Sequence, residues 1–180
     1  MNKLVSKLIL ILNHGKESGP QGRKLNALGD VGLSFGYEVE SIDYRSCKDE
    51  HERIAKLRSH LLELPKTTNV ILVGSSMGGY VSAVVASEFE IAGLFLLCPA
   101  VYYDEFAVQS YEIKTSNIEV VHGWYDEVIP AEDSFSFAKE HDARLHLVKD
   151  NHRLKDSIPD ICAYFKDFLA EGLSAYDITD

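Results

Sequence analysis

The sequence predicts an α/β domain built on about six mainly parallel strands, with helices on both faces. Three observations carry that prediction. Short β-branched apolar runs alternate with amphipathic stretches from one end of the chain to the other. The first run, Leu8 to Leu12, is continuously apolar, as in a parallel strand buried on both faces. No long linker, repeat or low-complexity tract breaks the alternation, so residues 1–180 read as a single domain.

Taken in order, Leu8 to Leu12 is the first strand, ending in the glycine-rich loop Asn13 to Pro20. A helical pattern follows, with Leu25, Leu28, Val31 and Phe35 on one side. Tyr37 to Asp43 is the second strand. Asp49 to Leu64 is an amphipathic helix with Ile54, Leu57 and Leu61 inward, stopped by Pro65. Val70 to Val73 is the third strand, and a helix over Met77 to Ser87 carries small residues suited to close packing on the sheet. Ala92 to Leu97 is the fourth strand. Residues 99–117, with Tyr102, Tyr103, Phe106 and Tyr111, have no clear period. Ile118 to Val121 is the fifth strand, a helix opens near Pro130 and Glu132, and Ala143 to Val148 is the sixth strand. A last helix spans about Ser157 to Ala170, and the acidic tail from Glu171 is expected to be loosely held.

Composition narrows the function. A chain of 180 residues with 46% hydrophobic and 26% charged residues can bury a sizeable core. The formal charge of −10 argues against non-specific nucleic-acid binding, which needs Lys and Arg against phosphates. Cys47, Cys98 and Cys162 form no CxxC pair. Cys98 and Cys162 lie in apolar runs as small core hydrophobes, and a reducing, cytoplasmic setting is expected. Lys3 and Lys7 precede only five apolar residues, too few for a signal peptide. No segment approaches membrane-spanning length, so no membrane partner is expected.

Gly-x-Ser-x-Gly occurs twice. In Gly32-Leu33-Ser34-Phe35-Gly36 it runs from helix into strand, and both glycines read as helix-ending residues. In Gly74-Ser75-Ser76-Met77-Gly78 it runs from strand into helix. That is the sequence form of a sharp turn holding a serine hydroxyl above a sheet, where the flanking positions pass too close to other backbone for a Cβ. Ser76 is therefore the candidate nucleophile, whereas Ser75 would be flanked by Val73 and Met77. The loops carrying Ser76, Asp126 and His152 each follow a strand, so they converge on the carboxyl edge of the sheet.

The order Ser76, Asp126, His152 resembles the α/β-hydrolase superfamily. The His14-Gly15 pair, the elbow over 74–79, the stretch His122 to Pro130 and Asp150-Asn151-His152-Arg153 all match, across nearly the whole chain. Within the superfamily the chain is similar to small, lidless, esterase-like members. The resemblance implies a minimal fold whose first strand here corresponds to the third of the full fold. It leaves too few residues between strands four and five for a cap domain. It also implies roles. Ser76 attacks, His152 takes and returns its proton, Asp126 fixes the imidazole tautomer, and the backbone N–H groups of Met77 and Lys16 hold the oxyanion.

Competing readings stand beside these. Asp126 also suits a turn or a helix cap. His14 and His122 suit loop-shaping hydrogen bonds. His51, His60 and His141 suit solvent-facing helix positions, and His146 alternates within a strand. Trp124, Tyr125, Tyr102, Tyr103 and Phe106 either flank a pocket or cover the core. No HExxH, paired His/carboxylate spacing, P-loop or dinucleotide fingerprint is present, so no metal and no cofactor are expected. The expectation is a serine carboxylesterase acting on small-molecule esters or thioesters. The alternatives are a thioesterase or amidase on the same groups, or a non-catalytic interaction module of the same fold. Oligomeric state is not legible.

Overall fold

The computed structural model describes residues 7–177; Lys3 and the end of the acidic tail, residues 178–180, lie outside them. The elements run β1 (Leu8–Asn13), α1 (Arg23–Ser34), β2 (Glu38–Ile42), α2 (Glu50–Glu63), β3 (Asn69–Ser75), α3 (Met77–Glu88), β4 (Gly93–Leu97), β5 (Ile118–Gly123), α4 (Ala131–Glu140), β6 (Arg144–Val148) and α5 (Ile158–Asp177). They form one six-stranded sheet, ordered β2-β1-β3-β4-β5-β6. Every neighbouring pair is parallel, not merely most of them.

The continuous apolar run of β1 serves two cores. Leu10 and Leu12 pack with Leu25, Leu28 and Val31 of α1 and Ile161, Phe165 and Phe168 of α5. Ile9 and Ile11 point the other way, into the layer made by α2, α3 and Phe137 of α4. Helices thus cover both faces, as parallel crossovers require. Helix α3 is buried all round because it lies between the sheet and α2, and Gly78, Gly79, Ser82, Ala83 and Ala86 give it the close approach. On the opposite face Phe95 meets Phe165 and Phe168 edge-on at 4.8 and 5.3 Å.

Several expectations are corrected. Helix α5 does not end near Ala170: it runs through Glu171 to Asp177, with Glu171 paired to Arg144 and Leu173 packed against the core. The packing of Leu173 and the Arg144–Glu171 pair carry it past Ala170. Gly36, with φ 83°, ends α1 as expected, but Gly32 lies inside the helix. A Cβ there would fall 2.5 Å from Leu10 Cδ2, so Gly32 exists for helix–strand approach. His60 and His141 are half-buried, His60 against Glu40 and His141 against the Phe137 ring at 4.5 Å; His51 is the solvent-facing one.

Residues 98–117 contain no helix or strand and no cap domain. They fold onto α3 instead. Phe106 lies 4.4 Å from the Tyr80 ring, the Val108 N–H donates to Tyr80 Oη at 3.1 Å, and the Tyr111 hydroxyl donates to the Val101 carbonyl. For Phe106 the core-covering reading therefore prevails, whereas Trp124 and Tyr125 stay exposed. No described helix is long and apolar enough to cross a membrane.

Candidate active site

Ser76 sits between the end of β3 and the start of α3 with φ 56° and ψ −121°, a conformation L-residues avoid. Surrounding backbone holds it there. Its N–H donates to Leu97 O at 3.0 Å, and its carbonyl accepts from Gly79 and Ala100 at 2.9 and 3.1 Å. The flanking glycines are needed for the reason the pattern suggested. A Cβ on Gly78 would strike the Asn13 and His14 carbonyls, and one on Gly74 would fall 2.6 Å from Gly79 Cα. Ser75 is buried within the strand. Beneath the turn, Asn13 donates to Ser82 Oγ at 3.0 Å and accepts from the Tyr44 hydroxyl at 2.6 Å, a buried polar floor.

The loop after β1 lies beside Ser76: a Cβ on Gly15 would come 3.3 Å from Ser76 Cβ. His14 shapes this loop. Its Nε2 accepts from the Tyr44 N–H at 2.9 Å, so Nδ1 carries the proton and donates to Gly15 O at 2.7 Å. Burial holds its pKa below the usual imidazole value, consistent with a neutral ring. Lys16 follows in an exposed turn, and Met77 is buried at the first turn of α3.

Asp126 and His152 meet across two loops, His152 Nδ1 lying 2.6 Å from Asp126 Oδ2. A carboxylate only accepts, so the proton is on Nδ1 and the Nε2 lone pair is free. Asp126 is also the turn residue of the competing reading. Its Oδ1 accepts from the Val128 and Ile129 N–H groups at 2.8 and 2.9 Å. One side chain does both, an oxygen for each. Burial pulls its pKa up, but His122, His152 and the two amides outweigh that and hold it well below the carboxylate range.

The loops are fastened to each other. Trp124 N–H donates to Val148 O at 2.8 Å and Tyr125 N–H to Asp150 O at 2.9 Å. Asp150 in turn accepts from the Asn151, Asp156 and Ser157 amides at 2.7 to 3.0 Å, fixing the loop on which His152 rides.

Three neighbours of the pair make contacts that the sequence did not show. His122 does more than shape a loop: its Nε2 lies 3.1 Å from Asp126 Oδ2 and 3.0 Å from Ile129 O, while Nδ1 meets Ser134 Oγ at 2.7 Å. With two acceptors before it, Nε2 is a donor and orients the carboxylate. Lys24 of α1 donates from Nζ to His152 O at 3.3 Å; on an amphipathic helix nothing marked it out. Cys98, at φ 41°, is fully buried, the core position its sequence suggested, with its Sγ near the pair. Cys98, Asp126 and His152 are the one group of metal-ligand donors among the described residues, with atoms within 4.8 Å. Burial pushes the Cys98 thiol up to about 12, and Asp126 and His152 already spend Oδ2 and Nδ1 on each other.

Two cavities adjoin these loops. One of about 290 Å³ is bordered by Trp124, Val128 and Pro130. The other, about 500 Å³, has Lys16 and Met77 in its wall.

Residues 9–110 match a family described as "Uncharacterised protein family (UPF0227)". Among solved structures, the chain is similar to a protein of Xanthomonas campestris pv. campestris described as a "putative hydrolase of the alpha/beta superfamily". The identity is 31%, over 90% of this chain and 98% of that one, with a TM-score of 0.82. An "alpha-beta serine hydrolase homologue" from Coxiella burnetii is 19% identical over 90% of this chain and 84% of that one, TM-score 0.77. A second Xanthomonas campestris protein, described as an a/b serine hydrolase without lid, is 15% identical over 91% and 81%, TM-score 0.73. These last two likenesses speak to the fold. The comparison with curated proteins gave no match.

Proposed function

From the premise that the chain belongs to this uncharacterised family and to the α/β-hydrolase superfamily, we propose that it is a serine hydrolase cleaving small carboxylic esters through an acyl-enzyme. The observation that carries the reading is the contact by which the buried Asp126 carboxylate engages Nδ1 of His152, in a chain that also holds Ser76 in a strained strand-to-helix turn. A binding module has no use for a histidine held in one tautomer by a buried carboxylate together with a serine at positive φ.

In this mechanism Ser76 Oγ attacks the ester carbonyl while His152 Nε2 removes its proton. Asp126 keeps Nδ1–H in place and stabilises the imidazolium, and His122 keeps the Asp126 carboxylate turned toward His152. The developing oxyanion is held by the Met77 and Lys16 N–H groups. His152 then protonates the leaving alkoxide, and water repeats the sequence to release the acid.

The test is intact-mass measurement after treatment with a fluorophosphonate. A single adduct on the native protein that is absent from Ser76→Ala supports the activated serine. No adduct on folded native protein overturns it and favours a non-catalytic interaction module. Matched oxyester, thioester and amide substrates then identify the leaving group.

A further inference from the structure

The cavity of about 500 Å³ beside Met77 is walled by Lys16, Arg45, Lys48 and Arg53, facing only Glu17 and Asp49. Cations outnumber carboxylates in this wall, although the whole chain has 28 acidic against 18 basic residues. Not all of these charges are available. Arg45 is spoken for by Asp43, with a two-pronged contact at 2.9 and 2.6 Å. Asp49 is turned into the helix as the N-cap of α2, accepting from the Glu52 N–H at 2.9 Å.

Arg53 is different. It is only 4% exposed, yet no ion pair joins it to a carboxylate among the described residues. Its Nη1 donates to the His14 carbonyl at 2.9 Å and its guanidinium lies 5.2 Å from the Tyr44 ring centroid. Those contacts hold the plane of the fork, and among the described residues most of its N–H groups meet no protein oxygen. A buried guanidinium without a counter-ion is costly, and one that borders a cavity can be compensated by an anion entering it. The cavity touches Lys16 and Met77, the two residues whose N–H groups would hold the oxyanion, so an anion there would belong to the molecule being cleaved.

We propose that the cavity bordered by Arg53, Lys16 and Lys48 binds an anionic group, a carboxylate or a phosphate, of the substrate, so that the preferred esters are anionic. This rests on the reading of Ser76 as the nucleophile. Arg53 acts as the bidentate anchor, and the exposed ammonium groups of Lys16 and Lys48 draw the anion in.

The test compares kcat/KM for a 4-nitrophenyl hemiester of glutaric acid, a phosphonate-bearing analogue of the same length, and the neutral methyl-capped diester. Native protein, Arg53→Gln and Lys48→Gln are compared at constant ionic strength. Hydrogen bonds to a charged group imply an anionic-to-neutral preference of about 10- to 100-fold in the native protein, largely lost in Arg53→Gln and reduced in Lys48→Gln. Whichever anion loses more on Arg53→Gln identifies the group bound. Equal turnover of charged and neutral esters, or a preference unchanged by Arg53→Gln, overturns the proposal.

A second readout does not depend on hydrolysis. Cys47 borders the same cavity, so its alkylation by anionic iodoacetate is compared with that by neutral iodoacetamide, located by peptide mapping. A cationic wall raises the iodoacetate-to-iodoacetamide ratio, and Arg53→Gln lowers it severalfold. If no ester turns over but that ratio still falls, the nucleophile reading has failed and the anion site stands. An unchanged ratio in Arg53→Gln overturns the site.

Discussion

At the scale of single residues, Asp126 is where geometry and electrostatics meet. Four donors converge on a side chain buried to 0% exposure, and they keep it ionised against the cost of burial. Asp126→Asn would place an amide where His152 Nδ1–H needs an acceptor, so the imidazole would be presented in the wrong tautomer. The expected result is a fall in kcat of about 10³- to 10⁴-fold with the fold retained, measured on a good aryl ester. The sign of the pH effect on stability also follows. With its folded pKa depressed, Asp126 contributes stability that is full above the unfolded value of about 3.9 and is lost as pH falls through the folded one. Urea midpoints of native protein and Asp126→Asn should therefore differ most near neutrality and converge in acid; a gap that widens in acid would contradict this. Cys98 supplies a third expectation. Its thiol, pushed up to about 12 by burial, should resist iodoacetamide in the native protein at pH 8 and react once the chain is unfolded in urea.

At the scale of elements, the turn between β3 and α3 is the least forgiving part of the molecule. The Gly78→Ala methyl would meet the Asn13 and His14 backbone, which the β1–β3 ladder holds in place. A loss of roughly 3 kcal/mol or more in urea unfolding is expected, at the upper end for overpacking. Removing the exposed Arg58–Glu88 pair between α2 and α3 should instead cost about 0–1 kcal/mol, and less in high salt, despite its contacts at 2.6 and 2.7 Å. The difference is physical: backbone cannot yield at the turn, whereas water replaces the surface pair.

At the scale of the whole molecule, the lack of a cap domain among the described residues leaves the Ser76 edge roofed only by loops. Residues 98–117, where a cap would be inserted, are spent on covering α3. With no cap among the described residues to build an apolar tunnel, long acyl chains should gain little burial, and short esters should turn over faster. A series of 4-nitrophenyl esters from acetate to dodecanoate checks this, and a rate rising with chain length would contradict it.

What the sequence determined by itself was the part governed by local pattern. Apolar runs and helical periods placed every strand and helix, and one Gly-x-Ser-x-Gly in strand-to-helix context singled out Ser76, because the steric demand of that turn is written in adjacent residues. Chain order past strand ends was enough to nominate Asp126 and His152. What only the tertiary structure decided was contact between distant residues. Asp126 meets His152 26 positions away, with His122 bracing the carboxylate, and Lys24 reaches the His152 carbonyl across 128 positions. The extent of α5 past Glu171 and the burial of Arg53 with no carboxylate partner among the described residues belong to the same kind. Each depends on which surfaces the parallel sheet brings together, and no window of neighbouring residues carries that information.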